Sequence, residues 1–410
     1  MEIRSAKKPW GEQLRTVCGS LTVCFAVLVA GTGLARGEDA GSYQTAAVDD
    51  ANSVLSSDDW PVRSVTGSAI DISWPVVETL DPSYGEPVTF PTRNPFTLTH
   101  WLLGIEIGEP HVAQARLFVP ESATAEAPVP AVVLMHGAGG VLPAREIAYA
   151  RQLMASGIAA IVVDSFGSRS EFTGNLYAAR IFRTTEMMMV ADAYAALDYL
   201  SVVEGVDESR VALMGFSYGG ITSMIAAQAQ VAEVAMADED RRFVAHIAYY
   251  GPCIARFADR RTTGAPVLFL MGGRDALVDP ERCEDVAEDL RAGGSPVRTV
   301  FYEDAYHQWD GALVGPRRIG YNIAPCDMRI GPDGVVWDGR TGLPMTGPIT
   351  RLAILMSCTT TEGFLVGRDD EVRHQSNAEV ARVLESVFNH PGRDPWSDHA
   401  GSVVTETPIR

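Results

Sequence analysis

Lysine is almost missing from this chain of 410 residues, which carries it only at Lys7 and Lys8, whereas arginine occurs throughout. Without lysine after residue 8, the chain has no Ser-Lys dyad, no Schiff-base lysine, no covalent pyridoxal site and no P-loop lysine. The sequence also has no HExxH segment, no zinc-type Cys/His spacing, no EF-hand loop and no Rossmann glycine fingerprint. We therefore predict no metal and no redox cofactor.

Positive charge is scarce as well, since 33 basic side chains stand against 52 acidic ones and the formal net charge is −19. An acidic surface is repelled by phosphate backbones and by anionic lipid headgroups, which argues against nucleic acid and anionic membranes as partners. The chain is 46% hydrophobic and 21% charged, an ordinary globular composition. Its length suffices for one large domain or two smaller ones.

The amino-terminal segment lacks an apolar run as long as the roughly 20 residues of a membrane span. It begins with basic side chains, continues with an apolar run from Val17 to Ala30, and ends in Gly33-Leu34-Ala35. This order is typical of a secretory signal peptide. We predict a signal peptide over residues 1–35, export to the periplasm or the extracellular space, and no stable membrane insertion after cleavage. An uncleaved anchor is the alternative.

Cysteine is also rare, with six in the chain, two of them in the predicted signal peptide. The other four are an even number in an exported chain, which predicts two disulfides. Three pairings are possible, and we prefer the pairs nearest in the chain. Four buried free thiols are the alternative. The preferred pairs are Cys253–Cys283 and Cys326–Cys358.

The middle of the chain alternates between short apolar segments and amphipathic ones. Short strands without polar alternation, separated by helices, predict an α/β fold with a mostly parallel sheet and helices on both faces. An alternating segment at residues 111–119 predicts an antiparallel strand before this region. The predicted strands lie at residues 131–135, 159–163, 211–214, 243–250, 266–271 and 297–302, and the predicted helices at 144–156, 184–200, 220–235, 280–291 and 377–388.

Composition divides the chain after residue 35 into three parts, the second of which contains an insertion. Residues 36–60 are rich in Asp, Ser, Ala and Gly and are predicted to be a flexible leader. We place the α/β domain at residues 61–395. Within it, the Gly- and Pro-rich residues 313–370 are predicted to be an insertion over one end of the sheet. Residues 396–410 are the predicted tail.

The segment Gly215-Phe216-Ser217-Tyr218-Gly219 is a complete G-x-S-x-G motif. It follows a predicted buried strand and precedes a predicted helix. Glycine on both sides of a serine is typical of a sharp strand-to-helix turn, where the backbone is strained and neighbouring elements crowd the turn. We predict that Ser217 is a nucleophile, and the alternative is a turn serine that caps the next helix.

A serine nucleophile needs a base, and the base needs an acid that orients it. Asp275 follows the predicted strand at residues 266–271, and His307 follows the last predicted strand. The chain order of serine, acid and histidine is the one that this architecture uses. Asp279 is the second choice for the acid. The alternatives to a catalytic role are that Asp275 is a helix cap or turn residue and that His307 is a surface histidine.

The glycine-rich segment from His136 to Gly140 follows the first predicted parallel strand. Glycines there allow the backbone to approach a developing oxyanion closely. We predict that the backbone N–H groups of Ala138 and Tyr218 form the oxyanion hole. His136 is predicted to be structural rather than catalytic, and a plain glycine-rich turn is the alternative for the whole segment.

With these segments the sequence resembles the dienelactone hydrolase family of α/β-hydrolases over roughly residues 110–312. The resemblance implies a hydrolase that cleaves an ester or lactone through an acyl-enzyme, with Ser217, Asp275 and His307 as the triad. The chain departs from the type enzymes in its serine, since they have a cysteine nucleophile, and in its export signal and late insertion. The segments that carry the resemblance are HGAGG, DSFGSR, GFSYGG, GGRDALVDP and DAYHQWD.

Residues near the motifs are candidates for contact with the substrate. Arg169 is predicted to bind a substrate carboxylate, as are the nearby Arg180 and Arg183, and a structural salt bridge with Asp164 or Glu186 is the alternative for these arginines. Phe166, Tyr218 and Trp309 lie beside motif residues and are predicted to line an aromatic pocket, unless they simply pack in the core.

The leading hypothesis is an exported serine hydrolase that acts on a small-molecule carboxylic ester or lactone. A peptidase, amidase or acyltransferase with the same triad is the nearest alternative. A noncatalytic binding protein on the same fold is the alternative from another class, because fold alone does not imply function.

Overall fold

The computed structural model describes residues 83–108, 111–169, 177–237 and 241–397. The predicted signal peptide (residues 1–35), the predicted leader (36–60) and the first part of the predicted domain (61–82) lie outside the described residues. Most of the predicted tail, from residue 398 onward, lies outside them too.

The described residues form one eight-stranded sheet and two small sheets. The strands of the large sheet are β1 (Glu86–Thr92), β2 (His111–Phe118), β3 (Val129–Met135), β4 (Ala159–Val163), β5 (Val206–Phe216), β6 (His246–Tyr249), β8 (Val267–Gly272) and β9 (Val297–Tyr302). The strands of the small sheets are β7 (Ala255–Phe257), β10 (Arg317–Ile319), β11 (Met328–Ile330), β12 (Val336–Asp338) and β13 (Phe364–Val366).

The large sheet has the strand order β1-β2-β4-β3-β5-β6-β8-β9. β2 is antiparallel to β1 and β4, and the other neighbours are parallel. β4, β6 and β8 are buried along their whole length, because helices cover both faces of the sheet, and their residues are correspondingly apolar. The predicted mostly parallel α/β sheet is confirmed.

The helices cover the sheet and connect its strands. They are α1 (Leu98–Leu102), α2 (Ala148–Ala155), α3 (Tyr177–Arg183), α4 (Glu186–Leu200), α5 (Tyr218–Ala226), α6 (Ala229–Ala235), α7 (Pro280–Ala292), α8 (Pro348–Cys358) and α9 (Asp370–Asn389). A π-helical turn at Pro143–Ile147 leads into α2. None of the helices among the described residues is long and apolar enough to cross a membrane.

Two predicted helices differ from the structure. The helix predicted at residues 220–235 is two helices, because the backbone between them bonds to a neighbouring loop. Thr263 donates to the carbonyl of Ala227, and Ala229 donates to that of Arg261. The final helix begins at Asp370 rather than near residue 377, because the side chain of Asp369 accepts from the backbone of Val372 and caps it.

Two disulfides cross-link the domain, one between the loop after β6 and helix α7 and the other within residues 313–370. They pair Cys253 with Cys283 and Cys326 with Cys358, as predicted. Each closes a loop of about 30 residues, which contributes about 3–4 kcal/mol to stability by restricting the unfolded chain. The predicted insertion, residues 313–370, contains the four strands from β10 to β13 and the helix α8.

Candidate active site

Ser217 lies between the last residue of β5 and the first of α5, with a backbone φ of 54°. A non-glycine residue in this region is strained, and such residues cluster at functional sites. The flanking glycines permit the turn, because a Cβ on Gly215 would lie 1.9 Å from the carbonyl oxygen of Gly219. A Cβ on Gly219 would lie 2.1 Å from the carbonyl oxygen of Met135 on β3. The glycines of the motif are therefore required by backbone contact.

The structure brings together the three residues predicted to form a triad. The Ser217 hydroxyl lies 2.9 Å from Nε2 of His307, and Nδ1 of His307 lies 2.6 Å from Oδ2 of Asp275. All three side chains are buried, with Ser217 the most accessible at 5%. The arrangement lets Nδ1–H donate to the carboxylate while Nε2 accepts the serine proton.

Asp275 and Asp279 occupy different places at the end of β8. The free oxygen of Asp275, Oδ1, accepts from the backbone N–H of Leu277, which fixes the carboxylate. Asp279 instead accepts from the first backbone N–H groups of α7 and is its N-cap. The second choice for the acid is therefore a capping residue.

His307 is held in place by backbone hydrogen bonds and ring contacts that the sequence did not indicate. Its N–H donates to the carbonyl of Leu365 on β13, and its carbonyl accepts from Gly367. The ring of Phe364 packs edge-on at 5.0 Å and the ring of Tyr250 lies at 4.6 Å. No sequence signal marks these residues, because β13 is a three-residue strand far along the chain.

The glycine-rich segment after β3 lies against the nucleophile turn. Met135 pairs with Gly215 in the sheet, and a Cβ on Gly137 would lie 3.3 Å from Cβ of Ser217. Gly140 donates to the carbonyl of Gly137, which closes a tight turn over Ala138. The structure thus places Ala138 and Tyr218, the predicted oxyanion donors, on the two backbone segments that meet at the serine.

His136 is buried and is engaged by its own loop. Its Nδ1–H donates to the carbonyl of Gly137 at 2.7 Å, and Nε2 accepts from the backbone N–H of Phe166 at 3.4 Å. Both ring nitrogens bond to backbone, as expected of a residue that holds the loop in place. This agrees with the predicted structural role.

The structure places Arg169 in a buried ion pair, and its predicted contact with a substrate carboxylate stays a prediction. Its buried guanidinium makes two hydrogen bonds to Asp192, at 2.6 and 3.0 Å, and further ones to Asn94 and to the carbonyl of Ser165. The side chain forms a structural ion pair that links the loop after β4 to helix α4. Its partner is Asp192 rather than Asp164 or Glu186, and Glu186 is paired with Arg351 instead.

The predicted aromatic pocket is packed rather than open. Trp309 is fully buried, donates from Nε1 to Ser376 on α9 and packs on Tyr250, and its predicted contact with the substrate stays a prediction. Phe166 is also buried and lies against the ring of His136 at 4.6 Å. The guanidinium of Arg180 lies over Phe166 and 3.7 Å from the position of a Cβ on Gly140. Arg180 is thus the predicted arginine that the structure places beside the glycine-rich turn.

A layer of charged side chains lies buried beneath the triad. Asp310 accepts from the Tyr250 hydroxyl at 2.5 Å, and Arg145 pairs with Glu146 at 2.7 Å. Burial raises the pKa of the Asp310 carboxyl, although Arg145 and the Tyr250 hydroxyl act in the opposite direction. Sequence reasoning missed this layer, since each residue resembles an ordinary surface charge. Within the described part of the chain, no cluster of three His, Cys, Asp or Glu side chains could hold a metal ion.

A buried serine on a strained strand-to-helix turn, linked through a histidine to an aspartate at this edge of the sheet, defines a serine hydrolase of the α/β-hydrolase superfamily. The sequence model of the dienelactone hydrolase family matches residues 113–322, and the chain belongs to this family. It is accordingly a carboxylic ester hydrolase.

Solved structures of similar fold include hydrolases of several kinds. The dienelactone hydrolase-like promiscuous phosphotriesterase P91 from metagenomic libraries is 22% identical with a TM-score of 0.41, covering 56% of this chain and 87% of that one. The apo form of esterase 2 from Thermogutta terrifontis is 18% identical with a TM-score of 0.38, covering 48% and 81%. No curated protein sequence matches the chain.

Proposed function

We propose that this protein is an exported serine hydrolase that cleaves a small-molecule carboxylic ester or lactone through an acyl-enzyme intermediate. The observation that carries the proposal is the continuous hydrogen-bonded path from Ser217 Oγ through His307 to Asp275. Such a path allows the hydroxyl to lose its proton as it attacks, which an isolated serine cannot do near neutral pH.

In the first step, Ser217 Oγ attacks the carbonyl carbon while its proton moves to Nε2 of His307. The carbonyl π electrons move to the oxygen, and the N–H groups of Ala138 and Tyr218 donate to this oxyanion. Loss of one such donor commonly lowers kcat about 10²- to 10³-fold. Asp275 accepts from Nδ1–H and stabilises the imidazolium while remaining ionised.

Collapse of the tetrahedral intermediate breaks the bond to the leaving oxygen, which takes the proton from Nε2. The acyl group then remains on Ser217, and with a lactone the released hydroxyl stays attached to it. A water molecule gives a proton to Nε2 and attacks the ester carbon. The second intermediate collapses, Ser217 recovers its proton, and the carboxylic acid leaves.

The proposal predicts that a fluorophosphonate probe labels Ser217 and that Ser217→Ala abolishes both labelling and turnover of p-nitrophenyl acetate. The matched control is Ser223→Ala, which removes a buried serine within helix α5, six residues after Ser217, and should leave both signals intact. Peptide sequencing of the labelled protein gives the site. Labelling of another residue, or turnover by Ser217→Ala near the wild-type rate, would contradict the assignment.

Export is supported by the order of basic, apolar and small residues in positions 1–35 and by the two disulfides, which persist in oxidising compartments. The expected mature protein begins at Arg36. Amino-terminal sequencing of protein secreted from expressing cells, with non-reducing mass spectrometry, tests this. Retention in the cytoplasm with residues 1–35 attached and all six cysteines alkylatable would refute export.

A further inference from the structure

Residues 313–370 reach the neighbours of all three triad residues. β13 pairs with the backbone of His307 itself, as described above. The side-chain amide of Asn322 donates at 2.7 Å to the carbonyl of Ala276, the residue after Asp275. Arg351 of helix α8 donates at 3.2 Å to the hydroxyl of Tyr218, the residue after Ser217. This part of the chain therefore forms one wall of the site.

Arg351 is the most constrained of these contacts. It is fully buried, and its guanidinium makes hydrogen bonds to groups on three other elements. Its acceptors are both carboxylate oxygens of Glu186 at 2.8 and 3.0 Å, the carbonyl of Ile181 at 3.0 Å and the hydroxyl of Tyr218 at 3.2 Å. A planar fork with several fixed donors suits this set, and a single ammonium group does not.

The hydroxyl of Tyr218 is fixed in both of its hydrogen-bonding directions. It donates to the carbonyl of Thr184 at 2.8 Å and accepts from Arg351. The tyrosine side chain is thus clamped at its far end, while its backbone N–H lies at the first turn of α5 beside Ser217. A displacement of the ring moves the same residue whose N–H faces the oxyanion.

Charge alone does not explain the arrangement. Burial raises the pKa of Glu186, but Arg351, the nearby backbone and the Tyr218 hydroxyl together lower it overall, so the carboxylate is ionised opposite the guanidinium. The pair is then neutral as a unit and supplies little net field to the oxyanion. The Arg351–Glu186 pair can therefore affect the reaction through the position of Tyr218.

We infer that Arg351 is a positioning residue that holds the backbone N–H of Tyr218 in place for the developing oxyanion. The inference rests on the proposed acyl-enzyme reaction and assigns residues 313–370 a part in it. An N–H that is misplaced by a fraction of an ångström loses part of its effect in the transition state but does not alter ground-state binding.

The test compares Tyr218→Phe and Arg351→Lys with the wild type, using p-nitrophenyl acetate as substrate and trifluoroacetophenone as an inhibitor that forms a tetrahedral adduct. Tyr218→Phe keeps the ring and the N–H but removes the clamp. We expect each variant to lower kcat about 10-fold or more, with KM changed less than about twofold. The inhibitor constant should weaken by a factor similar to that in kcat.

The double variant Tyr218→Phe/Arg351→Lys separates positioning from general stability. Because both single changes break the same link, the double variant should be little worse in kcat than either one. A structural role alone would lower the melting temperature of Arg351→Lys and leave kcat unchanged. Arg340→Met is the matched control, since Arg340 bonds to the carbonyl of Ser357 at the end of α8 and, among the described residues, makes no hydrogen bond or ion pair with a triad residue or its chain neighbours.

Values of kcat within about twofold of wild type in both single variants, or effects that multiply in the double variant, would overturn the inference. Either result would leave Ser217-dependent turnover intact and so would not affect the proposed function. Conversely, wild-type turnover that persists in Ser217→Ala would refute the proposed function and the positioning role together.

Discussion

Two aspartates four positions apart at the end of β8 illustrate how the site depends on single atoms. Asp275 offers one oxygen to His307 and the other to the backbone of Leu277. Asp279 spends its carboxylate on the first turn of α7. The two side chains are chemically identical. Their positions in the chain give them different hydrogen-bond donors, so that one orients the histidine and the other caps a helix.

This difference predicts opposite outcomes for two similar variants. Asp275→Asn should lower kcat about 10⁴-fold, because the amide oxygen keeps the bond from Leu277 N–H while the amide NH2 donates to Nδ1 and favours the wrong imidazole tautomer. Asp279→Ala should keep kcat near wild type and lower the free energy of unfolding by about 1 kcal/mol, the usual contribution of an N-cap. Steady-state kinetics and urea unfolding of both variants provide the measurements. Comparable kcat values for the two variants would argue against the assignment.

Helix α8 shows how tertiary contacts override the pattern of an element. Its sequence, PITRLAILMSC, carries one charged residue among apolar ones, which by pattern indicates an arginine facing solvent. The structure has the reverse orientation, with Arg351 buried and with Ile349 85% and Met356 63% exposed. The ion pair with Glu186 and the disulfide at Cys358 determine which face turns inward.

At the scale of the whole molecule, one buried histidine outside the site should make stability depend on pH. His246 begins β6, in the middle of the large sheet, and is fully buried against Phe243. Burial lowers the pKa of His246 to about 3, although the nearby backbone of Ser223 acts in the opposite direction. Below about pH 6.5 the unfolded chain takes up a proton at this residue that the folded protein does not.

Stability should therefore fall on acidification, and His246→Gln should remove this part of the fall. The loss of free energy of unfolding that His246 causes is absent above about pH 6.5. It grows by about 1.4 kcal/mol for each pH unit below that value and reaches about 2 kcal/mol near pH 5. Urea unfolding of the variant and wild type at about pH 7.5 and about pH 5 measures the difference. His390→Gln, at an exposed residue, is the control. Equal pH dependence in wild type and His246→Gln would exclude His246 as the cause.

The sequence by itself determined the elements whose signals are local. Apolar strands buried on both faces predicted the parallel sheet. The glycines around Ser217 predicted the strained turn, since no other residue fits there, and the ends of β8 and β9 located Asp275 and His307. The preferred disulfide pairing also agrees with the structure, because cysteines close in the chain lie close in this fold.

Only the tertiary structure decided the roles that depend on partners far apart in the chain. Arg169 is bound to Asp192, Trp309 lies in the core, and Arg351 turns inward to Glu186 and Tyr218. A buried charge is stable only with a partner, and nothing local to a charged residue specifies where that partner is. The contacts that residues 313–370 make beside the triad could therefore be found only in the folded structure.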